Sequence, residues 1–531
     1  IVYLLKGQPM MYSNITSITA ILLTWRSSGR TRNPYKGGLD LPGSETTKDH
    51  FLAIDLSTTA CKALIFNSDG EPVGEAYRDI PLFHPQPDWI EADAEDWWRL
   101  TVECIRESLH RSDLNPSRIA GIGLCGLMHA LLPVDRSGEP LDRVMLWMDQ
   151  RCKPQCEWIA SNTGKSTAVR RPSTTVSAPK LRWIVENKPE VIDKTYKFMF
   201  GKDYVKLKLT GQYATDLSDA GGTALLDRNR GDWSVEMLKL IGVPEDKMLP
   251  IRDSTEIAGV VMKDAAEETG LSPGTPVVIG ASDVRGTFLG VNMYVPGRTC
   301  LYMGTAAWIV TCSEEGTTHW MGSTATWGAG LRWYREMFND SRTYPDLDEA
   351  AGKIKPGADG IIFFPHLMGE RGPKHNPSAK GTIFGLTLAH RKEHIIRAIL
   401  EGNAYLIRQI IDRYGADRVG DIVGAGGGAK SRLWRQIIAN ITHKSVFAPR
   451  VAETTALGAA MLAAVGTGAL ATLEEAAERW VHIADGCAPE DNLAGKYDKI
   501  YELYKRIDAS LEVFYPEVSV DYGDQAERSG H

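Results

Sequence analysis

The sequence predicts an α/β protein of two domains, and three observations predict it. At 531 residues the chain is too long for a single compact core. Short apolar runs that read as strands are interleaved with stretches of helical period. A strand, a turn of small and hydroxyl-bearing residues and a second strand occur near residue 51 and again near residue 299. A repeat half a chain apart points to two domains of one design.

Composition narrows the class further. A net charge of −7 and a pI near 6.0 argue against a nucleic-acid or anionic-membrane surface. No apolar run reaches the roughly 18 residues of a membrane span. Ile15 to Trp25 has the apolar character of a signal segment, but Thr and Ser interrupt it and a polar, Gly/Pro-rich stretch follows. Residues 1–49 are therefore read as a disordered or artefactual leader. The eight cysteines, at 61, 104, 125, 152, 156, 300, 312 and 487, are scattered. Cys152 and Cys156 alone make a weak metal signal, so all eight are read as reduced thiols in a cytoplasmic protein.

Phe51 to Asp55 reads as a strand ending in a carboxylate, Leu56 to Cys61 as a tight turn, and Lys62 to Phe66 as the second strand. Asn67 to Gly70 closes the next hairpin. Such a turn offers backbone N–H and Ser/Thr groups to an anion, typically phosphate, although a plain hairpin with a polar tip reads the same way. The second copy runs Arg298 to Met303, Gly304 to Ala307 and Trp308 to Cys312.

Asp93 to Leu109 is an amphipathic helix and Ile119 to Leu124 the next strand. Met128 and His129 follow where that strand exits, before another strand from Ala130 to Val134. A lone histidine is more often structural than a ligand. Val144 to Arg151 is expected to open a long helical region. There Trp147, Asp149 and Arg151 form either an aromatic platform with polar groups for a sugar, or a helix cap with a salt bridge. Lys180 to Glu186 and Lys202 to Leu209 read as helices, and Thr215 to Thr223 as a polar, flexible stretch.

Val277 to Ile279 is a buried strand that ends in Gly280, Ala281 and Ser282 and delivers Asp283 at its carboxyl end. Open α/β sheets place ligands at that end. The competing reading makes Asp283 the N-cap of the next helix. A domain boundary falls near Tyr294 to Gly297.

Phe363 to Pro373 is a loop of turn formers holding an adjacent acid and base. Ile396, Ile399, Leu400, Ile407, Ile410 and Ile411 mark one helix face, so Glu401 and Gly402 are ascribed to packing. Val419 to Val423 is a strand, followed by the glycine-rich turn Gly424 to Gly428 and a helix bearing Leu433, Trp434, Ile437 and Ile438. That turn admits a flat ligand or phosphate against bare backbone, yet fits neither common nucleotide-loop pattern. Ala456 to Met461 is a small-residue helix, expected to pack beneath it.

Taken in order from about Phe51 to about Tyr515, these segments resemble the FGGY family of carbohydrate kinases, and its xylulokinases most. Asp55 to Thr59 is similar to the family's first phosphate loop, Gly304 and Thr305 to its second, and Gly426, Gly427 and Gly428 to the loop along the adenosine. Met128-His129 is similar to the pair that contacts the sugar. Ser218 to Thr223 and Gly369 to Pro373 are similar to xylulokinase segments, and Asp283 falls on the catalytic base. Leu127 stands where glutamine is usual, Val284-Arg285 where asparagine follows the base, and Ala306 and Ala307 in the second loop where a serine is usual.

The resemblance implies two actin-like, ribonuclease H-like domains with a nucleotide and sugar cleft between them. They would span 50–297, with the sugar and catalytic aspartate, and 298–515, with ATP, before a tail at 516–531. It implies ATP-dependent phosphorylation of D-xylulose with ATP and Mg²⁺ as cofactors. Asp283 would be the base and Asp55 a second catalytic carboxylate holding Mg²⁺ through water. Met128, His129, Trp147, Asp149, Arg151 and Asp283 would bind the sugar. Ser57, Thr58, Thr59, Gly304, Thr305 and Gly426 to Gly428 would bind ATP. A small-molecule sugar is the implied partner, and a homodimer is the family's habit. The rival readings are a kinase for gluconate, ribulose or glycerol, and an actin- or Hsp70-like ATPase switch.

Overall fold

The computed structural model describes residues 48–163, 172–374 and 376–518. The expected leader, apart from its last two residues, and the tail beyond residue 518 lie outside the described residues.

The first unit begins with strands β1 (His50–Leu56), β2 (Ala60–Phe66) and β3 (Pro72–Asp79), each antiparallel to the next. Every residue of β1 is buried, as its near-continuous apolar run requires of a central strand, whereas β3 is largely exposed. Helix α1 (Ala94–Ser112) starts where the Asp93 carboxylate accepts the Glu95 N–H at 3.0 Å, and it buries Trp97, Leu100, Cys104, Ile105 and Leu109. The chain returns in β4 (Ile119–Gly126), parallel to β1. Helices α2 (Gly201–Thr210) and α3 (Leu217–Gly222) follow, then β5 (Ile257–Val260), β6 (Pro276–Val278), β7 (Ala281–Ser282) and α4 (Asp283–Gly290). The sheet order is β5–β6–β4–β1–β2–β3, with β7 also paired to β4.

The second unit opens with β8 (Thr299–Met303), β9 (Ala307–Cys312) and β10 (Thr318–Thr324), again antiparallel neighbours. Helix α5 (Lys392–Tyr414) leads to β11 (Ile422–Ala425), α6 (Arg432–Thr442) and β12 (Val446–Pro449). β11 is parallel to β8 and β12 to β11. Five strands here, β10–β9–β8–β11–β12, therefore repeat the order and sense of β3–β2–β1–β4–β6. The duplication seen in two short turns extends to five strands of each sheet.

The chain then departs from the expected division. Helices α7 (Thr454–Gly466) and α8 (Leu473–Trp480) cluster with the first unit, as part of the segment Pro449–Ala484. The strand β13 (Ile483–Cys487) then leads to helix α9 (Asp491–Leu511), which belongs to the second unit. The continuous domain expected over 298–515 is thus interrupted. The small residues of α7 explain why. A Cβ on Gly123 of β4 would lie 1.8 Å from the Ala459 carbonyl oxygen, and one on Gly458 2.0 Å from that of Gly286 in α4. Helix α7 is pressed onto β4, β1 and α4 of its own unit.

Four local expectations also change. Val144–Met145 is a short strand and the next helix starts only at Lys153. The stretch 215–223 is not flexible but a strand and helix buried over most of its length. The strand expected over 419–423 is Ile422–Ala425, directly abutting the glycine turn. Ser282, not Asp283, caps α4, accepting the Arg285 N–H at 3.3 Å. Gly402 packs as expected: a Cβ there would be 2.1 Å from the Phe363 carbonyl oxygen.

Candidate functional site

In the first unit three neighbouring strands deliver their residues to one edge of the sheet. β4 pairs in parallel with both β1 and β7, so that Asp55 and Ala281 both lie opposite Cys125. Asp55, the Met128-His129 pair and Asp283 are therefore gathered at the carboxyl ends of β1, β4 and β7. Crossover connections leave that end of such strands open for ligands.

Asp55 is 4% exposed, and burial pushes its carboxyl above the usual range while Lys62, 3.6 Å away, opposes the shift. Lys62 also pairs with Glu453 at 2.6 Å. Asp55 Oδ1 is buried with no hydrogen-bond partner among the described residues. A desolvated carboxylate oxygen without a donor fits a hydrated divalent cation, and Mg²⁺ is commonly held by one carboxylate plus waters and phosphate.

The turn after β1 separates its three hydroxyls. The Ser57 N–H and hydroxyl both donate to the Ala60 carbonyl, at 2.8 and 2.9 Å, so Ser57 closes the turn. Thr58 Oγ1 accepts the Trp147 indole N–H at 2.8 Å, which leaves the Thr58 hydroxyl proton to donate elsewhere. The Thr59 carbonyl accepts the Ile80 N–H. Trp147 is thus tied to this turn. Asp149 and Arg151 follow the other reading of their motif: Arg151 bonds both carboxylate oxygens of Asp149, at 2.9 and 2.6 Å, and Glu91 at 2.7 Å. Both are buried, and the Arg151 guanidinium stacks 3.6 Å from the Trp89 ring centroid.

Asp283 opens α4 and is half-buried. Burial and the negative charge of Asp55 push its carboxyl up to about 7, against backbone N–H groups of Val284 and Met128 that favour the ionised form. Met128 and His129 are half-buried, with His129 at φ +66. Lys180 Nζ donates to the His129 carbonyl at 3.0 Å. Leu127 turns away into the core, 1% exposed, so its departure from glutamine puts an apolar residue among apolar ones.

Sequence reasoning missed what lies beneath. Lys202 Nζ contacts Asp203 at 2.8 Å, Asp216 at 3.1 Å and Asp219 at 2.8 Å, and Lys206 shares Asp203 at 2.8 Å. All five side chains are essentially buried. The only signal was an unusual density of charge in the Lys202 to Leu209 helix, with two aspartates in the polar stretch that follows.

In the second unit, the Gly304 and Thr305 carbonyls accept N–H groups of Trp327, Gly328 and Ala329, which ties the turn to the helix Gly328–Met337. The glycine turn follows β11 beside it. Gly426 takes φ +78, and a Cβ there would lie 3.1 Å from the Met303 carbonyl oxygen. Gly428 is equally close to Met303, whereas Gly427 is exposed, with no atom of another described residue beyond its chain neighbours within 4 Å of a would-be Cβ. Two of the three glycines fit the backbone against β8, and the third leaves a bare, open surface.

Residues 50–290 match the N-terminal domain, and residues 299–467 the C-terminal domain, of the FGGY family of carbohydrate kinases. The chain is 32% identical over 480 residues to a xylulose kinase of Bacillus subtilis (86% of this chain, 96% of that protein). It is 29% identical over 506 residues to a gluconokinase of the same organism (89% and 98%). The crystal structure of a xylulose kinase from Rhodospirillum rubrum superposes with a TM-score of 0.73 at 25% identity, covering 88% of this chain and 99% of that one.

Proposed function

The chain belongs to the FGGY family of carbohydrate kinases, and from that premise we propose that it transfers the γ-phosphate of ATP to D-xylulose, giving D-xylulose 5-phosphate. The observation that carries the reading is Asp283, a half-buried carboxyl with its proton affinity raised to about 7, beside Met128-His129 at the open end of the sheet. A base poised near neutral pH suits proton removal from a sugar hydroxyl, and such a group contributes about 10²- to 10⁴-fold. Asp283 takes the proton of the acceptor hydroxyl as that oxygen bonds to the γ-phosphorus. The bond from the γ-phosphorus to the bridging oxygen breaks, ADP leaves, and the proton passes to solvent. Phosphoryl transfer otherwise asks for positioning and charge neutralisation.

Asp55 is assigned to Mg²⁺, through water, which would neutralise phosphate charge when bound. Thr58, Thr59, Gly304 and Thr305 are assigned to phosphates and Gly426 to Gly428 to the adenosine side, with Ser57 shaping the first turn. Met128 and His129 are assigned to the sugar. With Asp149 and Arg151 engaged with each other, we give them a supporting role. All eight cysteines are free thiols, which supports our reading of a cytoplasmic protein. Among the described residues no helix is long and apolar enough to cross a membrane.

A second reading, gluconate as acceptor, is favoured by the gluconokinase relative. The test is ADP release with Mg-ATP and D-xylulose, gluconate, D-ribulose, glycerol or no sugar. Selective turnover of D-xylulose is expected. Selective turnover of gluconate would keep the mechanism and replace the substrate, and equal turnover without sugar would defeat both readings.

A further inference from the structure

Helix α3 touches both functional groups of the first unit, one at each end. At its start, the Ser282 backbone N–H donates to Ser218 Oγ at 2.9 Å, and that hydroxyl donates to Asp216 Oδ2 at 2.5 Å. Ser282 is the cap of α4 and the residue before Asp283. Asp216 is itself fixed by the Ser218 N–H at 2.7 Å and Lys202 at 3.1 Å, both buried, and by the half-buried Ser254 Oγ at 3.1 Å. At the other end of α3, a Cβ on Gly222 would lie 2.4 Å from Met128 Cε and 2.6 Å from His129 Cε1. Gly222 is where the pair assigned to the sugar rests its side chains on bare backbone.

We propose that α3 is a two-ended brace, in which Ser218 positions the Asp283 carboxylate and Gly222 sets the depth at which Met128 and His129 meet the sugar. The proposal rests on the reading of Asp283 as base. Ser218 touches no reacting atom and acts through the Ser282 backbone, so it is a positioning residue. It is 6% exposed, and losing its hydroxyl would orphan a buried N–H at the residue before the base. A shift of the base by a fraction of an ångström costs rate and leaves sugar affinity alone. Gly222 acts on the other quantity. The atoms a new methyl would meet are side-chain tips, so the sugar-contact pair moves while the backbone stays.

The test compares S218A, S218T, S254A, G222A and D283N in steady-state kinetics with Mg-ATP and D-xylulose, or the sugar of the panel that is turned over, with melting temperature for each. S218A is expected to lower kcat by about 10- to 100-fold with KM for sugar within about twofold. The acid limb of its pH profile should move upward, because the Val284 N–H that favours ionised Asp283 lies two residues beyond the freed Ser282 N–H and loses its fixed placement. S218T should recover most of the rate. S254A removes a bond from the same Asp216 oxygen without touching Ser282, and should keep kcat within about twofold. G222A should raise KM for sugar about tenfold with kcat nearly kept. Wild-type kcat in S218A, an equal loss in S254A, or an unchanged KM in G222A would overturn the brace while an inactive D283N kept the base. An active D283N would overturn the base and the brace together.

Discussion

The two sheets repeat one strand order, yet their carboxyl ends carry different equipment. At the ends of β1, β4 and β7 stand two carboxylates, a histidine and, just beneath, two lysines and three aspartates closed off from water. At the ends of β8 and β11 stand glycines, with backbone pressed against backbone at Gly426 and Gly428. The duplicated scaffold therefore supplies position, and the chemistry was added unequally. One half manages charge, which is costly to bury and adjustable in strength. The other offers backbone N–H groups and open surface, which suit an anionic or flat ligand without titrating.

The largest effect should come from the charged half. Asp283→Asn is expected to lower kcat by about 10²- to 10⁴-fold with ATP binding little changed. In the wild type the working form is the ionised carboxylate, so turnover should rise as pH climbs through about 7 and level off above it. A kcat that is flat from well below that value to well above it would remove Asp283 from the role. Next is Lys202→Met, which leaves Asp203 paired with Lys206 and takes from the buried Asp216 and Asp219 the lysine that contacts them. Breaking such a set by deleting one partner costs about 3–5 kcal/mol, to be read from denaturant unfolding. A loss comparable to that of an exposed lysine would mean that the cluster is hydrated.

How much of this was legible follows the same division. The strands, the repeated turns and the glycine loop were readable because apolar periodicity and turn residues are local signals. The place of α7 was not, because its small residues say only that something comes close. That the partners are Gly123 and Gly286 is a fact of tertiary packing. Asp149 and Arg151 could be read as sugar ligands or as an ion pair, and their burial together with Glu91 supplies what sequence lacked. The stretch 215–223 was misread for a related reason. Asp216 and Asp219 look solvated until Lys202, on a different helix, is placed between them.

The uncharged half can be probed with one methyl group placed at two positions. Gly426 holds φ 78 and ψ 179, a region nearly closed to other residues, so Gly426→Ala should cost about 1–3 kcal/mol of stability. Gly427→Ala meets nothing among the described residues and should change stability by less than about 0.5 kcal/mol. If the open face beside β8 receives the nucleotide, Gly427→Ala nonetheless raises KM for ATP. Unchanged ATP kinetics in a fully stable Gly427→Ala would assign that surface to solvent.

The effect whose sign says most belongs to Asp219. Two lysines and three carboxylates closed off from water would carry a net charge of −1 if all were ionised, and retaining one proton removes it. Burial, opposed by Lys202 and reinforced by the charges of Asp216 and Asp203, pushes Asp219 up to about 8 and makes it the group that holds the proton. A carboxyl raised in the folded state contributes stability that is complete below its unfolded value near 3.8 and is lost as pH rises through about 8. Asp219→Asn resembles the protonated form at every pH. The variant should therefore match the wild type near pH 4 and gain on it steadily toward pH 8, in unfolding measured across that range. If Asp219→Asn instead loses ground as pH rises, Asp219 is ionised in the fold and Lys202 carries it as a true ion pair. The charge beneath the site would then be set by three aspartates, and not by two aspartates and a proton.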